Sequence, residues 1–555
     1  MRHKFFGKEI SGPFTIPSGI ITTEIPTLKR IAEDVPQVGI LTTKSIGRYP
    51  RDGNREPIVH CVWHGAFANA VGLRNPGADV FAKKLSELEL PRDKFLLASV
   101  FGARADEMVY VVERLEPYAD GFELNYSCPH SPGHGASIGH HPDSVSEFTH
   151  AVRKKTDRPI IAKLSPNLEH GQIQAIARAA VDAGADGITA INTVGPDVYR
   201  INGHPILTNP AGGSLSGSGI KNRGIEVVKA IRKVTSPKTP IIGMGGIATA
   251  ADIMEYKNAG ADYFGIGTAL AGMGTKQIAQ YLAALENDLE HGTNEAQQYL
   301  VSMESGHRKF RVRANRRPAD DLSVIELDDG FEIEPGQFVF AWIPGVGEKP
   351  YSLLYDDPAK IAVQKRGQFS AALANAEEGT ELYLRGPCGN PLDLDGVKRA
   401  VLVGGGTGTA ALFLIARQLV ENGADVYGFV GAKDREHLIY LHSVAEGFYV
   451  SYATDDGSFF FTKYYKGTVA ELLEKEIKKG NFLAQGTVFF NCGPDAMIRA
   501  AEAIERGYVP QEQILSSNEG LTMCGYGLCG ACAREDGLRL CVDGPFMNPI
   551  EQNKY

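Results

Sequence analysis

The sequence predicts an α/β chain of several domains: a (β/α)8 TIM barrel, a small β-barrel, an α/β nucleotide domain and a short cysteine-rich tail. Three observations lead there. The first 290 residues alternate short apolar runs with amphipathic stretches, the rhythm of strand–helix units. From Lys309 to Asp395 the texture turns to short β-like runs with Gly/Pro turns, and from Val397 to Arg506 the β–α alternation returns. The end of the chain is Gly- and Cys-rich with little periodicity, as expected of a segment folded round a metal. At 555 residues the chain is also too long for a single core.

Strands of the barrel are read at Phe14–Ile20, Val38–Ile46, Phe95–Gly102, Gly121–Ser127, Pro159–Ser165, Gly187–Asn192, Pro240–Ile247 and Tyr263–Gly267. Helical patterns lie between them at Ala78–Leu90, Asp106–Ala119, Ser144–Thr156, Ile173–Gly184 and Gly224–Val234. A doubly wound open sheet is the alternative, and the glycines behind the last two strands favour the barrel. The polar stretch near Glu286–Gln298 marks a boundary. The expected domains are 1–290 (barrel), 291–304 (linker), 305–396 (β-barrel), 397–510 (nucleotide domain) and 511–555 (metal segment). Val339-Phe340-Ala341-Trp342 and Leu382-Tyr383-Leu384 exemplify the second, and a strand at Ala400–Gly404 running to a helix at Ala410–Leu419 opens the third.

Composition excludes several classes. Hydrophobic content is 43%, charged content 22% and net charge −9, which argues against a nucleic-acid or anionic-membrane binder. No apolar run approaches the ~18 residues a membrane helix needs. The N-terminus, Met1-Arg2-His3-Lys4-Phe5-Phe6-Gly7, does not read as a signal peptide. A soluble, cytoplasmic protein is expected.

Of eight cysteines, Cys61, Cys128, Cys388 and Cys492 are scattered, while Cys524, Cys529, Cys532 and Cys541 are crowded. The spacing C-x4-C-x2-C with a fourth cysteine beyond is that of plant-type [2Fe–2S] centres. Small residues among them (Gly525, Gly527, Gly530, Ala531) would let backbone amides approach the sulfides. A structural zinc or four buried thiols are the alternatives; zinc more often takes two Cys-x2–4-Cys pairs. Upstream, Gly404-Gly405-Gly406-Thr407-Gly408-Thr409-Ala410 joins a strand to a helix, where glycines admit a diphosphate and the helix N-terminus offers donors. Alone that turn is also compatible with a structural role.

Lys349-Pro350-Tyr351-Ser352 lies before this turn and Cys492-Gly493-Pro494 follows the strand Thr487–Asn491. The order resembles the ferredoxin-reductase family, in which an Arg-x-Tyr-Ser element holds FAD and Cys-Gly-Pro lies near the nicotinamide. The resemblance implies that Tyr351 stacks on the isoalloxazine and that Ser352 bonds near its reactive nitrogen. Lys349 departs from the family's arginine and can meet a phosphate only as a point charge. Cys524-Gly525-Tyr526-Gly527-Leu528-Cys529-Gly530-Ala531-Cys532 and Cys541-Val542-Asp543-Gly544-Pro545 complete the likeness. Residues from about 305 onward resemble the electron-transfer subunit of NAD-linked dihydroorotate dehydrogenase, with Cys524, Cys529, Cys532 and Cys541 as the [2Fe–2S] ligands.

In a barrel enzyme the site lies at the C-terminal strand ends, with phosphate behind the last two. Those two ends carry Gly243-Met244-Gly245-Gly246-Ile247 and Gly265-Ile266-Gly267-Thr268, whose amides would cradle a flavin phosphate unless they merely form tight turns. Lys44, Asn125-Tyr126-Ser127-Cys128, Lys163 and Asn192-Thr193 end four others. One such residue is usually a cap; several on one face suggest a site for a planar, hydrogen-bonding substrate, and neither lysine would be buried without an anionic partner.

This half resembles the cysteine-base class of dihydroorotate dehydrogenases. The likeness rests on Thr43-Lys44-Ser45, Asn69-Ala70-Val71-Gly72-Leu73-Arg74-Asn75-Pro76-Gly77, Asn125-Tyr126-Ser127-Cys128-Pro129, Lys163-Leu164-Ser165-Pro166-Asn167, Asn192-Thr193-Val194 and Gly213-Ser214-Leu215-Ser216-Gly217. It implies Cys128 as the general base at C5 of dihydroorotate while hydride leaves C6 for FMN. A thiol needs only a modestly lowered pKa for that task; a lone cysteine is otherwise most often a small buried hydrophobe. Lys163 is implied beside the flavin pyrimidine edge and Lys44 against flavin or substrate. Asn69, Gly72, Leu73, Asn125, Asn192 and Thr193 are implied around the substrate. Ser18, Gly19, Ser45, Gly217, Gly245, Gly246, Gly267 and Thr268 are implied around FMN, together with Lys44, Asn125 and Lys163. The implied route runs from FMN through [2Fe–2S] and FAD to NAD+, with two subunits fused and a homo-oligomer, dimer or larger, expected.

His130 to His141 departs from the usual dihydroorotate sequence, and Cys-Pro-His followed by glycines also resembles the pyrimidine-reducing domain of dihydropyrimidine dehydrogenase. NAD-linked reduction of uracil- or thymine-type rings is therefore the second reading. An electron carrier with a non-catalytic barrel is the third. Asp434, after the second strand of the nucleotide domain, mildly disfavours NADP.

Overall fold

The computed structural model describes residues 3–127, 136–304, 306–441, 449–459, 464–480, 483, 485–518 and 520–550. They divide into two compact units: Met1–Ser305 with Tyr526–Arg539, and Gly306–Gly525 with Leu540–Tyr555.

In the first unit eight parallel strands close into a barrel in chain order: β1 Phe14–Ile16, β2 Val38–Thr42, β3 Phe95–Val100, β4 Gly121–Asn125, β5 Ile160–Lys163, β6 Gly187–Ala190, β7 Ile241–Met244 and β8 Tyr263–Gly265. The open doubly wound alternative is thereby excluded. Helices α1 Ile25–Asp34, α2 Ala78–Ser86, α3 Ala105–Leu115, α4 Pro142–Arg153, α5 His170–Asp182, α6 Lys221–Arg232, α7 Ala250–Ala259 and α8 Thr275–His291 follow the strands in turn. α3 buries Met108, Val111, Val112 and Leu115, a single stripe, with Asp106 and Glu107 at its start and Arg114 near its end. α7 opens on a Thr249–Asp252 capping box and closes on left-handed Gly260.

Strand parity sets what faces the barrel interior. Ile40, Leu97, Ile161 and Ile242 form an inner apolar layer with Phe5 and Ile10. The hairpin of His3–Phe5 and Lys8–Ile10 supplies those last two, and Phe5 packs edge-on against Phe95 at 4.8 Å and Tyr263 at 4.7 Å. The N-terminal end is thus filled with hydrocarbon, and two residues beyond Ile40, Leu97 and Ile161 the interior becomes polar, with Thr42, Ser99 and Lys163.

Two insertions were not foreseen. Val59–Trp63 and Ala66–Asn69, between β2 and α2, join Val194–Asp197 and Gly213–Gly217, between β6 and α6, in a four-stranded antiparallel sheet. The segment 291–304, expected as a linker, packs with the barrel instead. Asp288 of α8 accepts the Glu295 and Ala296 amides at 2.8 Å each, and Gln277 donates to the Tyr299 carbonyl at 3.1 Å. The expected continuous metal segment 511–555 is also divided, since Tyr526–Arg539 belongs with the barrel. Ile21 N–H donates to the Leu528 carbonyl (2.7 Å) and Gly272 N–H to Tyr526 (2.9 Å), while buried Arg539 donates to the carbonyls of Gly527 (2.5 Å) and Met273 (2.7 Å). Sequence periodicity cannot reveal a segment held by backbone contacts of this kind.

The second unit contains two seven-stranded sheets. The first is antiparallel, ordered Gly347–Tyr351, Phe338–Ile343, Glu381–Cys388, Arg308–Ala319, Leu322–Leu327, Ala359–Gln364, Leu353–Asp356. The expected β-barrel is therefore not closed by hydrogen bonds. The long strand Arg308–Ala319 pairs Glu381–Cys388 with its first half and Leu322–Leu327 with its second, and two bulges there bend it. The two edge strands are joined by Ser352 alone, so the sheet curls until its edges meet through the chain. Its core gathers Phe310, Val312, Ile325, Val339, Leu353 and Leu384.

The second sheet has Arg399–Gly405 at its centre, with Asp425–Ala432 on one side and Thr487–Cys492 on the other, all parallel. Order reverses at that central strand, the place where doubly wound sheets hold ligands. The helix expected from Ala410 begins at Leu412 and is preceded by a 3₁₀ turn over Gly406–Ala411. Among the described residues no helix is long and apolar enough to cross a membrane.

Candidate active site

Beyond the apolar layer, parity turns Thr42, Ser99, Glu123, Asn125 and Lys163 inward, and they underlie a cavity of about 180 Å³ at the C-terminal strand ends. Ser18, Gly19, Lys44, Ser45, Asn69, Gly72, Leu73, Asn125, Lys163, Asn192, Thr193, Gly217, Gly245, Gly246, Gly267 and Thr268 all line it. Cys128 lies outside the described residues, as does the first half of the segment from His130 to His141.

A hydrogen-bonded web holds these side chains. Ser45 Oγ bonds Ser18 Oγ at 3.0 Å and Ser99 Oγ at 2.8 Å, and accepts from Asn125 Nδ2 at 2.9 Å. Ser99 Oγ in turn donates to Glu123 Oε1 at 3.1 Å, and Lys163 Nζ stands 3.7 Å from that same oxygen. Glu123 and Lys163 are both almost wholly buried, so the anionic partner that chemistry demands of a buried lysine is present. Asn125 Oδ1 accepts from the Ser127 amide (3.1 Å) and hydroxyl (3.0 Å), and Asn192 Nδ2 donates to Ser127 Oγ at 2.8 Å. Asn69 Nδ2 donates to the Ser214 carbonyl at 3.3 Å.

An amide side chain has two N–H groups. Among the described residues Asn69, Asn125 and Asn192 each spend one, leaving one apiece beside the cavity. Three such donors and two lysines favour a ligand rich in acceptors. Opposite them the wall is backbone. Gly246 has φ +73°, and a Cβ there would stand 2.6 Å from the Gly217 carbonyl, so only glycine fits this turn. Tyr256 donates to the Gly245 carbonyl at 2.7 Å, and burial raises the phenol's pKa, keeping it a neutral donor.

Sequence reasoning missed Ser99 and Glu123, which belong to the web, and the apolar lining residues Val59, Phe67 and Ile191. Polar residues at alternate positions inside an otherwise apolar strand were the available signal for Ser99 and Glu123. Leu528 and Cys529, from the tail segment, also line this cavity.

In the second unit a cavity of about 600 Å³ is lined by Lys349, Tyr351, Ser352, Arg366, Thr407, Gly408, Cys492 and Gly493. It lies where the curled sheet's two edges meet. A neighbouring cavity of about 470 Å³ shares Gln364, Arg366, Thr407 and Gly408 and adds Gly405, Gly406 and Pro494. Gly404 lines neither, packing instead on Thr409. Asp434 is occupied with its own turn, accepting the Glu436 and His437 amides and meeting His437 Nδ1 at 2.7 Å.

Cys524, Cys529, Cys532 and Cys541 are buried. Cys529 and Cys532 belong to the first unit, Cys524 and Cys541 to the second. Among the described residues no group of three or more His, Cys, Asp or Glu side chains is gathered as a metal ion requires. Within the second unit, buried Arg385 donates to the Cys524 carbonyl at 2.9 Å and pairs with buried Glu348 at 2.6 Å.

The family model for dihydroorotate dehydrogenase matches residues 1–289. The catalytic subunit of dihydroorotate dehydrogenase B (NAD(+)) from Methanocaldococcus jannaschii is 42% identical over 271 residues, 48% of this chain and 85% of that protein. Its counterpart from Pyrococcus horikoshii is 41% identical over 271 residues, with the same shares of 48% and 85%. A solved NADH-dependent reduced ferredoxin-NADP oxidoreductase aligns with 43% of this chain and 87% of its own, at 26% identity and a TM-score of 0.39, too loose a fit to argue from.

Proposed function

Because the chain belongs to the dihydroorotate dehydrogenase family, we propose that its barrel oxidises dihydroorotate to orotate and that NAD+ is the final acceptor. The observation that carries this reading is the barrel cavity, with its three spare amide N–H groups and two buried lysines. Orotate is a planar ring with two carbonyls and a carboxylate, an acceptor-rich ligand of the kind such a set grips.

The cavity also fits FMN: Gly217, Gly245, Gly246, Gly267 and Thr268 offer a backbone cradle for its phosphate, and Lys163 and Lys44 offer cations. Bound there, FMN supplies a two-electron acceptor for the hydride leaving C6. Cys128 would remove the proton from C5, so that one proton and one hydride leave the substrate together. Asn69, Asn125, Asn192 and Thr193 would orient the ring, and Ser45 and Ser127 hold two of those amides in place before substrate arrives. Glu123, 3.7 Å from Lys163 Nζ, would hold that side chain in place beneath the cavity.

In the second unit the larger cavity fits FAD by its chemistry: Tyr351 offers a ring, Ser352 a hydroxyl, Lys349 and Arg366 positive charge. FAD and NAD there supply hydride exchange between flavin and nicotinamide. Gly405 to Gly408 and Cys492 to Pro494 would hold the dinucleotide. Cys524, Cys529, Cys532 and Cys541 suit a [2Fe–2S] cluster, a one-electron carrier, by type, spacing and burial.

Anaerobic visible spectroscopy of the purified protein tests the reading. Dihydroorotate and NADH, added separately, are each expected to bleach the flavin absorbance. Bleaching by dihydrouracil but not by dihydroorotate would overturn the substrate assignment, and no response to NADH would overturn the second half.

A further inference from the structure

Strands Thr487–Cys492 and Ile514–Ser517 run parallel with Asn491 opposite Ser516. The next residue of each, Cys492 and Ser517, lines the larger cavity of the second unit. Behind them stands Glu505, the last residue of the helix Asp495–Glu505, with no exposed surface. Asn491 Nδ2 donates to Glu505 Oε2 at 2.8 Å and to Ser516 Oγ at 3.3 Å. On these same two side chains Asn491 Oδ1 and Glu505 Oε1 are buried with no partner among the described residues.

A carboxylate in that place would bury a full charge on a single amide bond, an arrangement proteins avoid. Two orphaned oxygens cannot satisfy each other, because neither carries a hydrogen. A proton on Glu505 resolves both at once. Its O–H donates to Asn491 Oδ1 while Asn491 Nδ2 donates back, giving an acid–amide pair with two hydrogen bonds. The charged groups acting on Glu505 are Glu502 and Arg506 beside it; Asn491 and Ser516, from the two strands, are neutral. Burial pushes the Glu505 carboxyl up to about 8, against the Asn491 bond, with Glu502 adding to the rise and Arg506 opposing it.

We propose that Glu505 is a positioning residue: held as a neutral acid, it locks Asn491 and with it the strand ends that carry Cys492 and Ser517 into the cavity wall. Loss of the proton loosens that wall from behind. The consequence for NADH rests on the reading of this cavity given above; the acid–amide pair does not.

Full-length wild type and Glu505→Gln decide it, since glutamine can reproduce both bonds without a proton to lose. Wild type should show the infrared carbonyl stretch of a protonated carboxylic acid near neutral pH, absent in Glu505→Gln and fading as pH passes about 8. In NADH-driven dye reduction, wild-type KM for NADH should rise several-fold from pH 7 to pH 9 with kcat changing less. Glu505→Gln should stay flat. Identical infrared spectra would overturn the proposal, as would an alkaline rise in KM that survives the substitution. If NADH reduces nothing, the reading of the second unit fails, and the infrared comparison still decides the pair.

Discussion

The barrel cavity and the cavities of the second unit are built from different material. In the barrel, side chains from separate strand ends converge and are tied by Ser45, Ser99, Glu123 and Ser127 into one web. In the second unit the walls are mostly turns, namely Gly405 to Gly408, Cys492 to Pro494 and the single-residue junction at Ser352. The first kind of site is damaged by taking an atom away. The second is damaged by adding one. That contrast yields predictions that separate the two halves of the chain.

The largest effect is expected from Cys128→Ser. On the proposed reading, loss of this base should lower dihydroorotate oxidation at neutral pH by about 10²–10⁴-fold. NADH-driven dye reduction should be unchanged, because the proposed function assigns that chemistry to the other unit. Turnover near wild type would show that another group takes the proton.

Glu123→Gln comes next. It leaves Lys163 buried without its anionic partner, a defect worth about 3–5 kcal/mol when a charge is stranded. Thermal unfolding and flavin retention in the barrel should both suffer, while NADH-driven dye reduction persists. A variant with unaltered stability would mean that the Glu123–Lys163 pair does not help hold the barrel together.

Ser45→Ala is milder. It removes the hub joining Ser18, Ser99 and Asn125, at a cost of about 1–3 kcal/mol for the groups left unsatisfied. The expected readout is a KM for dihydroorotate raised roughly tenfold, the equivalent of ~1.4 kcal/mol, with kcat less affected.

What the sequence disclosed follows the same contrast. All eight barrel strands start within a residue of where the apolar runs place them, yet each stops two to four residues sooner. Phe14–Ile20 ends as a strand at Ile16, and Pro159–Ser165 at Lys163. The surplus residues keep strand-like composition but leave the ladder to line the cavity, which explains why the site was legible there as misplaced lysines and asparagines. Glu123 stood in the sequence as a lone carboxylate inside an otherwise apolar run, and inside–outside parity is what turns it toward the interior. The curled sheet was read as a closed barrel because its local runs are those of one; a bulged strand shared by two half-sheets leaves no local pattern. The four-cysteine spacing was legible as chemistry but does not encode which unit each thiol packs into.

The smallest effects come from paired glycine substitutions that test the second kind of site. A Cβ at Gly408 would stand 2.6 Å from Gly493 Cα and 2.7 Å from its nitrogen, backbone that cannot swing aside. Gly408→Ala should therefore cost about 1–3 kcal/mol of local packing and weaken NADH binding, leaving flavin bleaching by dihydroorotate intact. Gly406, at φ +52°, meets nothing within 4 Å, so Gly406→Ala costs only the left-handed conformation, about 1–2 kcal/mol. KM for NADH should rise more in the first variant than in the second. Were the order reversed, the conformation of the turn rather than its close approach to Gly493 would limit nucleotide binding, and the second unit's site would depend on backbone freedom instead of space.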